Sequence, residues 1–169
     1  MKFVPLPPEP WQHLSCDYYG PTNSGDYLLV FVDLYSRFPI VRYVKSTDHS
    51  SAIKVIDNLM AEYGNIEQLD TDNGPPFNSK QFTKYLEDKG IKHKKITPLW
   101  PQANRAETVM KGIKKTIQKS YIMKTDYRKD LNNYLSQYRA TPHPSTGHSP
   151  ATLLFNGRKF KTKIPNMEK

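Results

Sequence analysis

The apolar residues of this 169-residue chain change their spacing part-way along, and that change restricts the folds open to it. From Trp11 to Tyr19, Tyr27 to Leu34 and Phe38 to Val44 the chain is rich in aromatic and branched residues. These runs are separated by Gly20-Pro21 with Ser24-Gly25 and by Tyr35-Ser36-Arg37. Short runs of this composition between turn-forming residues read as strands, and their tight connections predict an antiparallel meander. Further on, Ala52, Val55, Ile56, Leu59, Met60 and Tyr63 recur every three to four positions. That spacing predicts an amphipathic helix, with Thr47 as N-cap and Gly64 at its end.

The remainder alternates. Ile66 to Thr71 reads as a strand, Ser79 to Lys89 as a helix stopped by Gly90, and Ile91 to Ile96 as another strand. Beyond Pro101 the pattern is helical: from about Arg105 to Met123, from Asp126 to Ala140 with Leu131, Tyr134, Leu135 and Tyr138 inward, and a short helix opened by Ser149-Pro150. A meander followed by alternating strands and helices indicates an α/β fold built on a mixed sheet. The organisation expected is a Pro-rich extended arm over 1–10, one domain over 11–157 and a basic tail over 158–169.

Charge and cysteine content narrow the partners. The chain carries 25 Lys and Arg against 16 Asp and Glu, a net charge of +9 that favours polyanions through counterion release. Cys16 is the only cysteine, so no internal disulfide forms, which suits a reducing compartment. The five histidines are scattered, and a zinc site needing two cysteines cannot be assembled. No apolar run approaches the roughly 20 residues that span a bilayer, so a soluble, intracellular protein without membrane partners is expected.

Three carboxylates stand out. Asp17 falls among apolar strand residues, where a charge is costly unless a cation, hydrogen bonds or solvent satisfies it. Asp72 opens the turn Asp72-Asn73-Gly74-Pro75-Pro76 after a strand, and Asp33 and Asp70 compete with it in similar settings. Glu107 lies early in the long helix. At 100° per residue, Glu107, Lys111, Lys114 and Gln118 fall within about 40° of one line, with Ala106, Val109, Met110, Ile113 and Ile117 in a stripe roughly 120° away. Taken singly, each has an ordinary reading: an exposed strand Asp, a turn cap, and a surface Glu–Lys pair at i, i+4.

Together, Asp17-Tyr18-Tyr19-Gly20-Pro21, Thr71-Asp72-Asn73-Gly74 and Pro98-Leu99-Trp100-Pro101-Gln102-Ala103-Asn104 before Glu107 resemble the catalytic core of retroviral and gypsy-type LTR retrotransposon integrases. The resemblance extends through Tyr35-Ser36-Arg37 and Tyr138-Arg139-Ala140-Thr141-Pro142-His143 to Thr146-Gly147-His148-Ser149-Pro150-Ala151. It implies a ribonuclease-H-like fold, a mixed five-stranded sheet flanked by helices on both sides with the first strand beside the fourth. It also implies that Asp17, Asp72 and Glu107 converge as catalytic and metal-binding residues for two Mg²⁺ or Mn²⁺ ions, with no small-molecule cofactor. Lys111 and Lys114, with Gln102, Asn104 and Arg105, match positions that approach DNA, both element ends and target. A homodimer through the core and a nuclear setting follow from the same resemblance.

One departure is local. Integrases of this kind read Pro-Gln-Ala-Asn-Gly, two residues, then Glu-Arg, whereas Asn104 is followed here by Arg105-Ala106-Glu107-Thr108. The loop is one residue shorter and loses its glycine, so a stiffer loop is expected. The sequence shows neither an amino-terminal His2Cys2 zinc module nor a DNA-binding domain after Lys169, which by the resemblance makes it an isolated core, either a piece of a longer protein or a domesticated remnant. Three activities are therefore in competition: DNA strand nicking and transfer, nucleic-acid binding or scaffolding by a catalytically impaired domesticated copy, and cleavage of RNA:DNA hybrids on the shared fold.

Overall fold

A computed structural model of the chain describes residues 7–96, 103–144 and 146–158, with only the backbone described for 103–105. The elements run β1 (His13–Tyr19), β2 (Tyr27–Asp33), β3 (Pro39–Val44), α1 (His49–Tyr63), β4 (Gln68–Thr71), α2 (Lys80–Asp88), β5 (Lys92–Lys95), α3 (Ala103–Met123), α4 (Tyr127–Ala140) and α5 (Pro150–Leu154). They form one five-stranded sheet in the order β3-β2-β1-β4-β5. The β1, β2 and β3 pairings are antiparallel, as a meander requires. The pairings of β1 with β4 and of β4 with β5 are parallel, because α1 and α2 carry the chain back between strands. The mixed sheet and the neighbouring first and fourth strands agree with the sequence reading.

Period-two alternation assigns each strand residue to a face. Leu14, Cys16, Leu29, Phe31 and Leu69 pack with Ala52, Ile56 and Leu59 of α1, Phe82 and Leu86 of α2 and Ala151 of α5. On the opposite face Leu28, Val30, Val32 and Val41 pack with Val109, Met110, Ile113 and Ile117 of α3 and Leu131 and Leu135 of α4. Helices thus cover both faces. β2 lies inside both layers, which explains its nearly unbroken apolar run.

Several boundaries differ from the sequence reading. The N-cap of α1 is Asp48, whose carboxylate accepts from the Ser51 N–H at 2.9 Å, and not Thr47. An anionic acceptor suits the positive end of a helix better than a hydroxyl does. Trp11 lies outside β1, because its backbone turns to φ 64° while its N–H donates to Asp33 and its indole donates to the Gly64 carbonyl at 2.7 Å. α3 begins at Ala103, so Asn104 and Arg105 belong to the helix. The active-site loop through Pro98-Gln102, the first six residues of the arm, and residues 159–169 of the tail lie outside the described residues.

The two helices of the second layer pass close together at Gly112. A Cβ there would lie 1.8 Å from the Tyr134 hydroxyl, so only glycine permits this crossing without moving the ring.

Candidate active site

Asp17 has the opposite strand parity to Leu14 and Cys16, so it projects from β1 on the α3 and α4 side. Its Oδ1 accepts the Tyr18 N–H at 2.8 Å. Asp72 follows β4 directly, and its Oδ1 accepts the Gly74 N–H at 3.0 Å, which closes the turn. Glu107 sits in the second turn of α3 and is exposed, as are Lys111, Lys114 and Gln118, whereas Val109, Met110, Ile113 and Ile117 are buried. The helix geometry read from the sequence therefore holds.

Asp17, Asp72, Glu107, Lys111 and Lys114 line one cleft of about 460 Å³. Ser15 and Cys16 complete it, and Ile96, Ala106 and Met110 supply apolar walls that sequence reasoning did not assign to the site. Asp17 is exposed at the cleft, yet desolvation by the surrounding protein raises its carboxyl above the usual carboxylate range, with the Asp72 charge adding to the rise. The Tyr18 N–H and the Lys114 ammonium oppose it. Burial and both aspartates push the Cys16 thiol well up, so it stays protonated and unreactive.

An oxygen-only set of carboxylates suits a hard divalent cation. Among the described residues, the second oxygen of Asp17 and of Asp72 accepts no hydrogen bond. No three His, Cys, Asp or Glu side chains among them come close enough to hold one metal ion. The three carboxylates line one cleft from three different elements.

The competing aspartates have other work. Asp33 is 1% exposed and accepts from the N–H of Trp11, the N–H of Ser36 and the Ser36 hydroxyl, the last at 2.6 Å, tying the β2–β3 turn to the start of β1. Asp70 is equally buried and accepts from Gln68 Nε2 at 2.7 Å. Neither lines the cleft. Ion pairs among the described residues include Arg42–Glu62, Lys45–Asp26 and Arg128–Asp26, but not the Glu107–Lys111 surface pair that their spacing permits. Gln102 and the side chains of Asn104 and Arg105 lie outside the described residues.

Residues 7–101 match the family model for the integrase core domain. The chain belongs to that family. Across curated proteins, this integrase core is 32% identical over 162 residues to an uncharacterized protein of Caenorhabditis elegans, covering 95% of the chain and 13% of that protein. It is 26% identical over 167 residues to the Gag-Pol polyprotein of Walleye dermal sarcoma virus, covering 94% of the chain and 9% of the polyprotein. The chain thus spans only a small part of these relatives.

Among solved structures, the integrase core superposes on the HTLV-2 integrase catalytic core domain in complex with magnesium (trimeric form) with a TM-score of 0.69 and 20% identity, covering 86% of this chain and 97% of that one. It also superposes on a chain of the simian T-cell lymphotropic virus intasome in complex with PP2A regulatory subunit B56 gamma, with a TM-score of 0.73, 20% identity, and coverage of 99% and 60%. The ribonuclease-H-like fold is thereby established.

Proposed function

We propose that this integrase core catalyses metal-dependent polynucleotidyl transfer, the nicking and joining of DNA strands, with Asp17, Asp72 and Glu107 as the carboxylates that hold two Mg²⁺ or Mn²⁺ ions. The observation that carries the reading is the meeting of these three acids, from β1, the turn after β4 and α3, in one cleft with Lys111 and Lys114. When bound, the ions stabilise charge at the reacting phosphate and activate the oxygen nucleophile, a water or a DNA 3′-hydroxyl. The Tyr18 and Gly74 N–H groups each hold one oxygen of an aspartate and leave the other for a cation. Lys111 and Lys114 bind backbone phosphates beside the reacting bond, while Ile96, Ala106 and Met110 limit water access.

We assign Gln102, Asn104 and Arg105 to DNA as well, and a homodimer through the core in a nuclear setting. The test is strand transfer or its reversal on a branched DNA with Mn²⁺. Activity is expected, and Asp72→Asn should abolish it; no activity with any divalent metal or DNA substrate would remove the reading.

A second reading is a catalytically impaired domesticated copy that binds nucleic acid or scaffolds. It is favoured by the segment before Glu107, which is one residue short of the family pattern, and by Thr108 in place of the Arg that follows the Glu in that pattern. Calorimetry separates the two: tight Mn²⁺ binding lost on replacing Asp17, Asp72 or Glu107 counts against the second.

A further inference from the structure

Thr71 is the last residue of β4 and is fully buried beside Asp72. Its hydroxyl lies 2.8 Å from the Asp72 carbonyl oxygen, to which it donates, and 2.7 Å from His93 Nε2 on β5. A hydroxyl has one proton. With that proton given to the carbonyl, the second contact is a hydrogen bond only if His93 Nε2 carries a proton and donates to Thr71. In that tautomer the chain of donors runs from His93 through Thr71 to the peptide group joining Asp72 to Asn73.

The ring that starts this relay is itself held. Phe82 of α2 meets the His93 ring edge-on, with centroids 5.6 Å apart. The Ile96 N–H, one residue past β5, donates to the Thr71 carbonyl at 2.7 Å, so this edge of the sheet holds Thr71 by both side chain and main chain. Asp72 is thus fixed twice, at its carboxylate by Gly74 and at its carbonyl by the relay. A carboxylate just past a strand end has no ladder to orient it, and the relay supplies that constraint.

We propose that His93 is a positioning residue for Asp72, acting through the Thr71 hydroxyl to fix the peptide plane that follows the Asp72 carboxylate. The inference rests on the reading of Asp72 as a metal ligand for its consequence, and on the hydrogen bonds alone for its geometry. The plain alternative is that His93 is a ring packed on Phe82.

Paired variants order oppositely under the two. His93→Phe keeps a ring against Phe82 and loses the donor, whereas His93→Gln keeps an N–H near Nε2 and loses the ring; Thr71→Val and Thr71→Ser divide the hydroxyl from the shape in the same way. In the metal-free chain, nitrogen NMR should find the His93 proton on Nε2. The Asn73 amide resonance should move in His93→Phe and Thr71→Val and stay in His93→Gln and Thr71→Ser. Mn²⁺ affinity by calorimetry should fall about 10-fold in the first two and recover in the second two, the lower end of what supporting partners of metal ligands contribute.

An Nδ1-protonated His93, or His93→Phe behaving as the unsubstituted chain while His93→Gln does not, overturns the proposal. If the unsubstituted chain binds no Mn²⁺, the metal reading of Asp72 falls and the Asn73 amide alone judges the relay.

Discussion

Asp26, in the turn between β1 and β2, and Arg128, in the first turn of α4, are joined by a 2.8 Å ion pair across 102 positions of sequence. Lys45 reaches the other oxygen of the same carboxylate at 2.6 Å, and the Tyr127 hydroxyl donates to Oδ2 at 2.9 Å. Arg128 also lies over the Tyr43 ring, 4.1 Å from its centroid. Asp26 is 4% exposed because these partners cover it at the periphery, not because it lies deep in the core. They tie the hairpin, the end of β3 and the head of α4 into one corner.

Asp26→Ala should therefore lower the thermal midpoint by several degrees, and Arg128→Lys by itself should also lower it, since an ammonium cannot both pair with Asp26 and stack on Tyr43 in the same way. The hydrogen bonds from Lys45, Arg128 and Tyr127 hold the Asp26 carboxyl well below the usual range. A depressed folded-state value stabilises the fold above the unfolded value of about 4 and loses that contribution as pH falls below it. Thermal melts from pH 7 to pH 3 should show the gap between the unsubstituted chain and Asp26→Ala closing toward the acid end.

Asp17 behaves in the opposite sense. Its folded-state value is raised, chiefly by burial and further by Asp72, so its ionised form weakens the fold once pH rises through that value. Because Asp17 is exposed, solvent screens most of this effect, and Asp17→Asn should raise the metal-free thermal midpoint at pH 7 only slightly while abolishing strand transfer. Mn²⁺ should raise the midpoint of the unsubstituted chain and leave that of Asp17→Asn unchanged, which differential scanning calorimetry reads directly.

Gly112→Ala offers a sign reversal. The added methyl must displace the Tyr134 ring, so the substitution should cost about 1–3 kcal/mol despite the better helix propensity of alanine. In a Tyr134→Ala background the obstacle is gone, and the same change should instead stabilise by about 1 kcal/mol. Urea unfolding of the four proteins checks the cycle.

Lys111→Ala with Lys114→Ala should weaken duplex DNA binding with little dependence on sequence. The slope of log affinity against log salt should fall by about 1 for each phosphate that is no longer neutralised. Titrations at several salt concentrations measure it; an unchanged slope would remove these lysines from the interface.

Periodicity made the fold legible: a strand meander and amphipathic helices can be read from spacing because each spacing permits one side to be buried. The Glu107 edge of α3 was legible for the same reason, its lysines and its apolar stripe following from 100° per residue. Asp17 and Asp72 were separable from Asp33 and Asp70 only through the family motifs, since all four are aspartates near strand ends. What separates them physically is only partly long-range: Asp70 is held by Gln68 on its own strand, whereas Asp33 is claimed by Trp11, 22 positions away, as well as by nearby Ser36. The His93–Thr71 contact and the Asp26 corner were invisible for that reason, because side chains far apart in sequence meet only once strand register is known. Gly112, a glycine inside a long helix, marks a close helix crossing that the sequence reading did not single out.

The outermost strand has a consequence for how copies of the chain behave together. β5 reads Lys92-His93-Lys94-Lys95 and borders the sheet, with no further strand paired to its outer side among the described residues. A rim of that kind invites a second strand, and its lysines repel the same rim of any other copy. This colloidal guard is electrostatic and is screened as ionic strength rises. Concentrated salt therefore removes the barrier against edge-to-edge stacking at the border whose inner side grips Thr71.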